Sequence, residues 1–132
     1  MIEINNLTTS SIDKKFLDRV AKKILKGENQ KERDLSIVFV GQGRMRKLNK
    51  KYREKNKVTD VLSFGEELNE VVICPREVKK NAKKYNLTFK KELARVLIHG
   101  ILHLLGYEHE KSKKETEKME KKEEYYLSNL NL

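Results

Sequence analysis

The sequence predicts a single α+β domain, and three observations lead to that fold class. Short stretches with the residue types and alternation of strands occur between longer segments whose apolar residues recur at helical spacing. The chain has 132 residues, which is the length of one small domain. Hydrophobic residues make up 37% of the chain and are clustered, so they are sufficient for one core. We therefore predict one domain over residues 1–132.

The first three elements are predicted to be a strand, a helix and a buried strand. Residues 2–4 alternate between apolar and polar side chains, as expected for a strand. Ser11 or Asp13 can cap a helix that Gly27 stops. The stretch 35–40 is rich in β-branched and aromatic residues, which favours a buried strand. The apolar side of the helix consists of Phe16, Leu17, Val20, Ala21, Ile24 and Leu25.

The middle of the chain is predicted to form a basic helix, two short strands and a third helix. The basic helix covers residues 43–53, and the strands cover residues 61–64 and 71–74. Pro75 suits the first turn of a helix that begins near Arg76, because proline has no N–H to leave unpaired there.

The last part of the chain predicts two helices with different surroundings. Thr88 can cap a helix with a long apolar stripe, and Gly106 ends it. Residues 111–124 are almost wholly charged and have high helix propensity, so we predict a surface helix rather than a core helix. Its possible anchors are Met119, Tyr126 and Leu127.

The charge balance indicates a polyanionic partner. The chain has 30 Lys and Arg against 20 Asp and Glu, a formal net charge of +10. Within residues 44–57 the only acid is Glu54, and a dense positive surface binds phosphate backbones through counterion release. The alternative is that these lysines only keep the protein in solution. The residues predicted to bind the phosphate backbone of a nucleic acid are Arg44, Arg46, Lys47, Lys50, Lys51 and Lys55.

Two features of the sequence predict where in the cell the protein is located. Cys74 is the only cysteine, so no internal disulfide can form and no disulfide-linked partner is expected; this is typical of a reducing compartment. The N-terminus has no basic segment followed by an apolar one, and no apolar run approaches the length of a membrane span. We therefore expect a cytoplasmic protein that does not enter a membrane.

The histidines predict a metal site. All three lie in residues 99–109, and His99 and His103 are four apart, which places them on one face of a helix. Gly106 permits a turn with positive φ that can bring His109 back as a third ligand. Three neutral nitrogens with an open fourth position are typical of a catalytic zinc site, and nickel or cobalt would fit the same ligands. The alternative for each histidine is an ordinary residue of the core boundary.

Gly100 argues against peptidase chemistry at this site. The spacing of the histidines and Gly106 is that of the metzincin signature, but that signature has glutamate where this chain has Gly100. In those peptidases the glutamate takes the proton from the zinc-bound water, which glycine cannot do.

Several motifs together resemble the YbeY family of bacterial rRNA maturation factors. Residues 99–109, HGILHLLGYEH, are similar to the family pattern H-G-x-L-H-L-x-G-Y-D-H. Residues 48–53, LNKKYR, and residues 59–64, TDVLSF, resemble a second family block. Gly65 and the pair Asn69-Glu70 depart from the family pattern in the loop that follows.

The resemblance implies a mixed four-stranded sheet and one zinc ion held by His99, His103 and His109. It also implies cleavage of single-stranded RNA in maturation of small-subunit ribosomal RNA and in ribosome quality control, with the small ribosomal subunit as partner. In the family the arginine of the Y-R motif is needed for activity, and it falls on Arg53. Physically, a guanidinium near the metal could hold a phosphate and offset charge in the transition state.

Two other functions stay open at this point. One is another zinc hydrolase, acting on a peptide or small molecule. The other is a non-catalytic ribosome assembly factor whose zinc only holds the helix to its turn. The group that moves protons is not identified, although Glu108, Asp60 and Ser63 are candidates for the cleft.

Overall fold

The computed structural model describes residues 1–65, 68–108 and 112–132. In these residues a four-stranded sheet is combined with five helices, and the predicted α+β class is confirmed. The strands are β1 (Ile2–Asn6), β2 (Leu35–Phe39), β3 (Val61–Phe64) and β4 (Glu70–Ile73). The helices are α1 (Lys14–Gly27), α2 (Gln42–Arg53), α3 (Pro75–Lys84), α4 (Phe89–Leu104) and α5 (Lys113–Ser128).

The sheet is mixed, with the order β1-β2-β4-β3. β1 and β4 each pair with β2 in parallel, whereas β3 pairs with β4 antiparallel, with Leu62 opposite Val72. β3 is therefore an edge strand, joined to β4 by a short connection. This edge is where the candidate site lies.

Helices cover both faces of the sheet, and α2 is separated from the others. On one face, Ile37 and Val71 belong to the main core with α1, α4 and α5. On the other face, Val72 and Leu62 pack with Met45 of α2 in a smaller cluster. This division follows from strand alternation, because successive side chains point to opposite faces.

α4 is the central helix. It contacts α1, α3, α5, β3 and β4, and most of its residues are buried. Thr88 caps it as predicted, by accepting a hydrogen bond from the Lys91 backbone N–H. At the other end, the N–H groups of Gly106 and Tyr107 bond to the carbonyls of His103 and Leu102, which is a Schellman motif. Gly106 has φ +104°, so the predicted positive-φ turn is confirmed.

α1 ends at Gly27, as predicted. The residue with positive φ that closes the last turn is Asn29, with φ 58°, and not the glycine. Gly27 is instead a position of close approach, because a Cβ there would lie 2.8 Å from Cε1 of Tyr126. The glycine makes room for α5.

The prediction of a charged surface helix with a few apolar anchors is confirmed for α5. α5 runs to Ser128 and packs against α4, with Met119 fully buried and Tyr126 3% exposed. Most positions of the helix are charged, so only a narrow apolar stripe contacts the core. None of the helices in the described ranges has the length and apolar content needed to span a membrane.

Candidate functional site

A cleft of about 730 Å³ lies at the β3 edge of the sheet. Three parts of the chain form it: the end of α2, the whole of β3, and the last two turns of α4 with the residues that follow. Because α2 and α4 lie on opposite faces of the sheet, the cleft joins the two faces around the edge strand. Its lining residues are Tyr52, Arg53, Val61, Leu62, Ser63, Phe64, His99, His103 and Glu108.

His99 and His103 lie side by side in this cleft. Both are on α4 and partly buried, and their ring centroids are 4.6 Å apart with an interplanar angle of 75°. Two imidazoles one helical turn apart are suited to share one ion. The third predicted ligand, His109, lies outside the described residues. Within the described ranges, no group of three metal-binding side chains is formed.

The packing of α4 on the sheet explains Gly100. A Cβ at this position would lie 2.8 Å from Cγ1 of Val71 and 3.0 Å from Cγ2 of Val61. The Ser63 hydroxyl also donates a 2.7 Å hydrogen bond to the Gly100 carbonyl. A glutamate here would collide with Val61 and Val71, because α4 packs closely on β3 and β4 at this point. The peptidase base is therefore excluded by space as well as by residue type.

Arg53 reaches the cleft because α2 ends there. It is the last residue of the helix and is exposed, and Glu54 follows in the left-handed region with φ 57°. Asn49 is 2% exposed and fixes the chain beyond the helix, since its side-chain amide donates to the Lys57 carbonyl at 3.0 Å. Tyr52 packs edge-on against Phe64 at 5.0 Å, which ties the end of α2 to β3.

The predicted RNA-binding residues are not among those that line the cleft, although Arg53 of the same helix is. Arg44, Arg46, Lys47, Lys50 and Lys51 are all on exposed positions of α2, and Lys55 is exposed just after it. All but Lys55 belong to the helix that ends at Arg53, so this helix carries a high density of exposed positive charge next to a residue of the cleft. We call these six residues the α2 basic surface.

Glu123 is a site residue that the sequence did not indicate. Its Oε1 lies 2.7 Å from Nδ1 of His99, and its side chain is 16% exposed. On α5 it shares one face with Met119 and Tyr126, both of which are buried. The spacing places this carboxylate on the same face as the two apolar anchors, but no local pattern indicates that it meets His99.

The charge of Glu123 also acts on Arg95, which lies one turn before His99. A bidentate hydrogen bond to Glu92, at 2.8 and 2.7 Å, raises the pKa of Arg95, and the charges of Asp60 and Glu123 add to this. Glu92 is fully buried and the Arg95 side chain is partly exposed, so the pair extends from the core to the surface of α4.

A second carboxylate, Glu28, joins three parts of the chain next to the site. It accepts hydrogen bonds from the Tyr107 hydroxyl at 2.5 Å, from the Lys122 ammonium at 3.1 Å and from the Tyr126 hydroxyl. Burial alone would raise the pKa of Glu28, but these hydrogen bonds outweigh it and lower the pKa below its usual value. Burial and the bond to Glu28 raise the pKa of Tyr107 to about 12. The turn after α4 is therefore held to both α1 and α5.

The fold places only some of the other residues predicted for the site in the cleft. Glu108 is exposed and lines the cleft, and Ser63 lines it while supporting α4. Asp60 is not among the lining residues and accepts a hydrogen bond from Asn81 of α3. Cys74 is fully buried, as predicted, and burial raises the pKa of its thiol.

Comparisons with known proteins give matches over most of the chain. A family model described as Endoribonuclease YbeY matches residues 3–131. A protein named Endoribonuclease YbeY from Thermodesulfovibrio yellowstonii is 51% identical over 105 residues, which cover 73% of this chain and 66% of that protein. A protein of the same name from Thermotoga neapolitana is 38% identical over 117 residues, covering 86% of this chain and 75% of that protein.

A solved structure shares the fold. The solution structure of a protein from Thermotoga maritima superposes with a TM-score of 0.69 at 35% sequence identity, and the match covers 96% of this chain and 87% of the other. The chain spans about two thirds of the length of the Thermodesulfovibrio relative. The family match extends over nearly the whole sequence, so the chain belongs to the YbeY family of endoribonucleases.

Proposed function

We propose that this protein is a zinc-dependent endoribonuclease that cuts single-stranded RNA, and that it acts in maturation of small-subunit ribosomal RNA and in ribosome quality control. The observation that carries the proposal is that Arg53 and the paired imidazoles of His99 and His103 line one cleft. The names of the relatives support the endoribonuclease activity. The α2 basic surface, most of which lies on the helix that ends at Arg53, supports a nucleic-acid substrate.

The chemistry of the donor set fits a zinc ion. His99 and His103 offer two imidazole nitrogens on adjacent turns, and we propose His109 as the third ligand. When bound, the ion supplies Lewis-acid chemistry: it polarises a phosphoryl oxygen and activates water as the nucleophile.

The chain itself would hold and orient the RNA. The Arg53 guanidinium can hold the two non-bridging oxygens of a phosphate in a two-pronged contact, and this contact strengthens as negative charge develops. Lysines and arginines of the α2 basic surface would hold the neighbouring phosphates. Glu108 is the carboxylate of the cleft lining that is exposed to water, so it is the first candidate to accept a proton from the attacking water or pass one to the leaving oxygen.

The first test measures metal and cleavage together. We expect the purified protein to bind about one zinc ion per chain and to cut a single-stranded fragment of small-subunit ribosomal RNA. His103→Ala should lose zinc and cleavage but stay folded, because the core of α4 does not depend on this partly buried side chain. Metal analysis by mass spectrometry, a gel cleavage assay and circular dichroism measure the three properties.

The same experiment separates the alternatives. If the protein is a non-catalytic assembly factor that zinc only stabilises, His103→Ala should unfold when it loses the metal. The wild-type protein should then not cut RNA. Another zinc hydrolase would bind zinc without cutting RNA. If the wild-type protein binds no transition metal even when zinc is supplied, the metal site itself is wrong.

A further inference from the structure

The α5 side chain that meets His99 has a geometry typical of metal centres. Glu123 Oε1 is 2.7 Å from Nδ1 of His99. An ionised carboxylate can only accept a hydrogen bond, so Nδ1 must carry the hydrogen in this contact. In a neutral ring the lone pair is then on Nε2, and such carboxylate–histidine contacts orient the rings of metal ligands.

The position of Glu123 is fixed from several sides. Met119 and Tyr126, on the same face of α5, are buried against the core, and they hold this face of the helix to α4. The preceding residue, Lys122, forms an ion pair with Glu28 at 3.1 Å. The side chain of Glu123 is itself 16% exposed, so water competes little for its oxygens. Its contact with His99 is therefore built into the packing of α5.

We infer that Glu123 is a positioning residue for the proposed metal centre, which sets the tautomer and orientation of the His99 ring through its Nδ1. The inference rests on the proposed function, because it assigns Glu123 a role toward the metal that His99 would bind. It also assigns a function to α5, whose sequence carries no metal-binding motif. Glu123 does not touch the RNA or the metal in this role; it acts through His99.

The test compares two variants with a matched control. Glu123→Gln keeps the size of the side chain but not its charge, and Glu123→Ala removes the acceptor. Glu124→Gln changes the neighbouring glutamate, which is exposed, and is the control. Two properties are measured: the affinity for zinc, by competition with a chromophoric chelator, and the tautomer of His99 in the metal-free protein, by ¹⁵N NMR of the imidazole at about pH 8.5, where an ordinary imidazole is neutral.

We expect the wild-type and Glu124→Gln proteins to show the Nδ1–H tautomer at His99 and the same zinc affinity. Glu123→Ala should shift His99 toward the Nε2–H tautomer and weaken zinc binding by about 10- to 100-fold, and Glu123→Gln should weaken it by about tenfold. Circular dichroism checks that the variants are folded.

An unchanged tautomer or an unchanged zinc affinity in Glu123→Ala would overturn the inference. If the wild-type protein binds no zinc, the proposed function fails instead. In that case the tautomer measurement still decides whether Glu123 orients the His99 ring, because it is made without metal.

Discussion

At the scale of single residues, Arg53 has an exposed side chain on a backbone that is held in place. Its backbone is held because α2 ends at this residue and Asn49 ties the following loop back to the helix. Its side chain lines the cleft that contains His99 and His103. Because the backbone of Arg53 is held in this way, its guanidinium can contact a phosphate without a rearrangement of the main chain.

Replacement of Arg53 should affect the rate of cleavage more than RNA binding. We expect Arg53→Ala to lower the single-turnover cleavage rate on the order of a hundredfold, because the contact strengthens as charge develops on the phosphate. Arg53→Lys should restore little, since an ammonium keeps the charge but loses the two-pronged geometry. Rate, RNA affinity, zinc content and melting temperature are measured for each variant, and only the rate should change strongly.

Arg76→Ala is the control for Arg53, because Arg76 is an exposed arginine of α3 that does not line the cleft. If Arg53→Ala lowered affinity and rate equally and Arg53→Lys restored both, Arg53 would be one more phosphate anchor. Catalysis would then have to be assigned to the metal centre alone.

The sequence could predict those site residues whose spacing is local. His99 and His103 are separated by one helical turn, and Gly106 has the positive φ that its place after the apolar stripe predicted. Glu123 was not predictable in this way, because its contact with His99 spans 24 positions and depends on how α5 packs. The steric role of Gly100 was also hidden, since its neighbours come from β3 and β4.

At the scale of elements, α2 presents two sides with different roles. Met45 and Asn49 are buried against the sheet and the following loop, whereas the basic residues are exposed. The helix thus places positive charge outside the smaller core cluster and delivers Arg53 to the β3 edge.

The salt dependence of RNA binding tests the α2 basic surface. The plot of log K against log[salt] should become shallower by about 0.7 for each phosphate of single-stranded RNA that a variant no longer neutralises. Lys50→Ala/Lys51→Ala should therefore flatten the slope and weaken binding to all sequences alike. Lys14→Ala/Lys15→Ala removes an equal charge from an exposed pair on α1 and should change the slope less. Equal slopes for the two double variants would mean that Lys50 and Lys51 only solubilise the protein.

The elements themselves were largely predictable, but the contacts between them were not. Strand alternation, apolar helical spacing, Pro75 and helix propensity are all local signals, and together they located the nine elements of the described ranges. The close approach of Gly27 and α5 was not predicted: the ring of Tyr126 occupies the space that a side chain at position 27 would need. Contacts between distant helices leave little trace in local patterns.

At the scale of the whole molecule, Glu28 connects the first helix to the last one and to the turn after α4. Its bonds to Tyr107, Lys122 and Tyr126 span 79 to 98 positions of sequence. They hold α5, and with it Glu123, against the histidine-bearing helix. Stability and the geometry of the site therefore depend on the same carboxylate.

The pH dependence of unfolding should reveal this carboxylate. The pKa of Glu28 is lowered in the folded protein, so its stabilisation is present above about pH 4.5 and is lost as the pH falls through the folded value. The pKa of Tyr107 is raised to about 12, so its stabilisation is complete below about pH 10 and is lost as the pH rises to about 12. Glu28→Gln should lower the free energy of unfolding at neutral pH by about 1–3 kcal/mol, because the hydroxyls of Tyr107 and Tyr126 lose a charged acceptor. It should also flatten the acid limb, which is the loss of stability as the pH falls. Urea unfolding from acid to alkaline pH measures the free energy of unfolding, and Glu32→Gln, at an exposed glutamate, is the control. An acid limb as steep in Glu28→Gln as in the wild type would show that other carboxylates control acid unfolding.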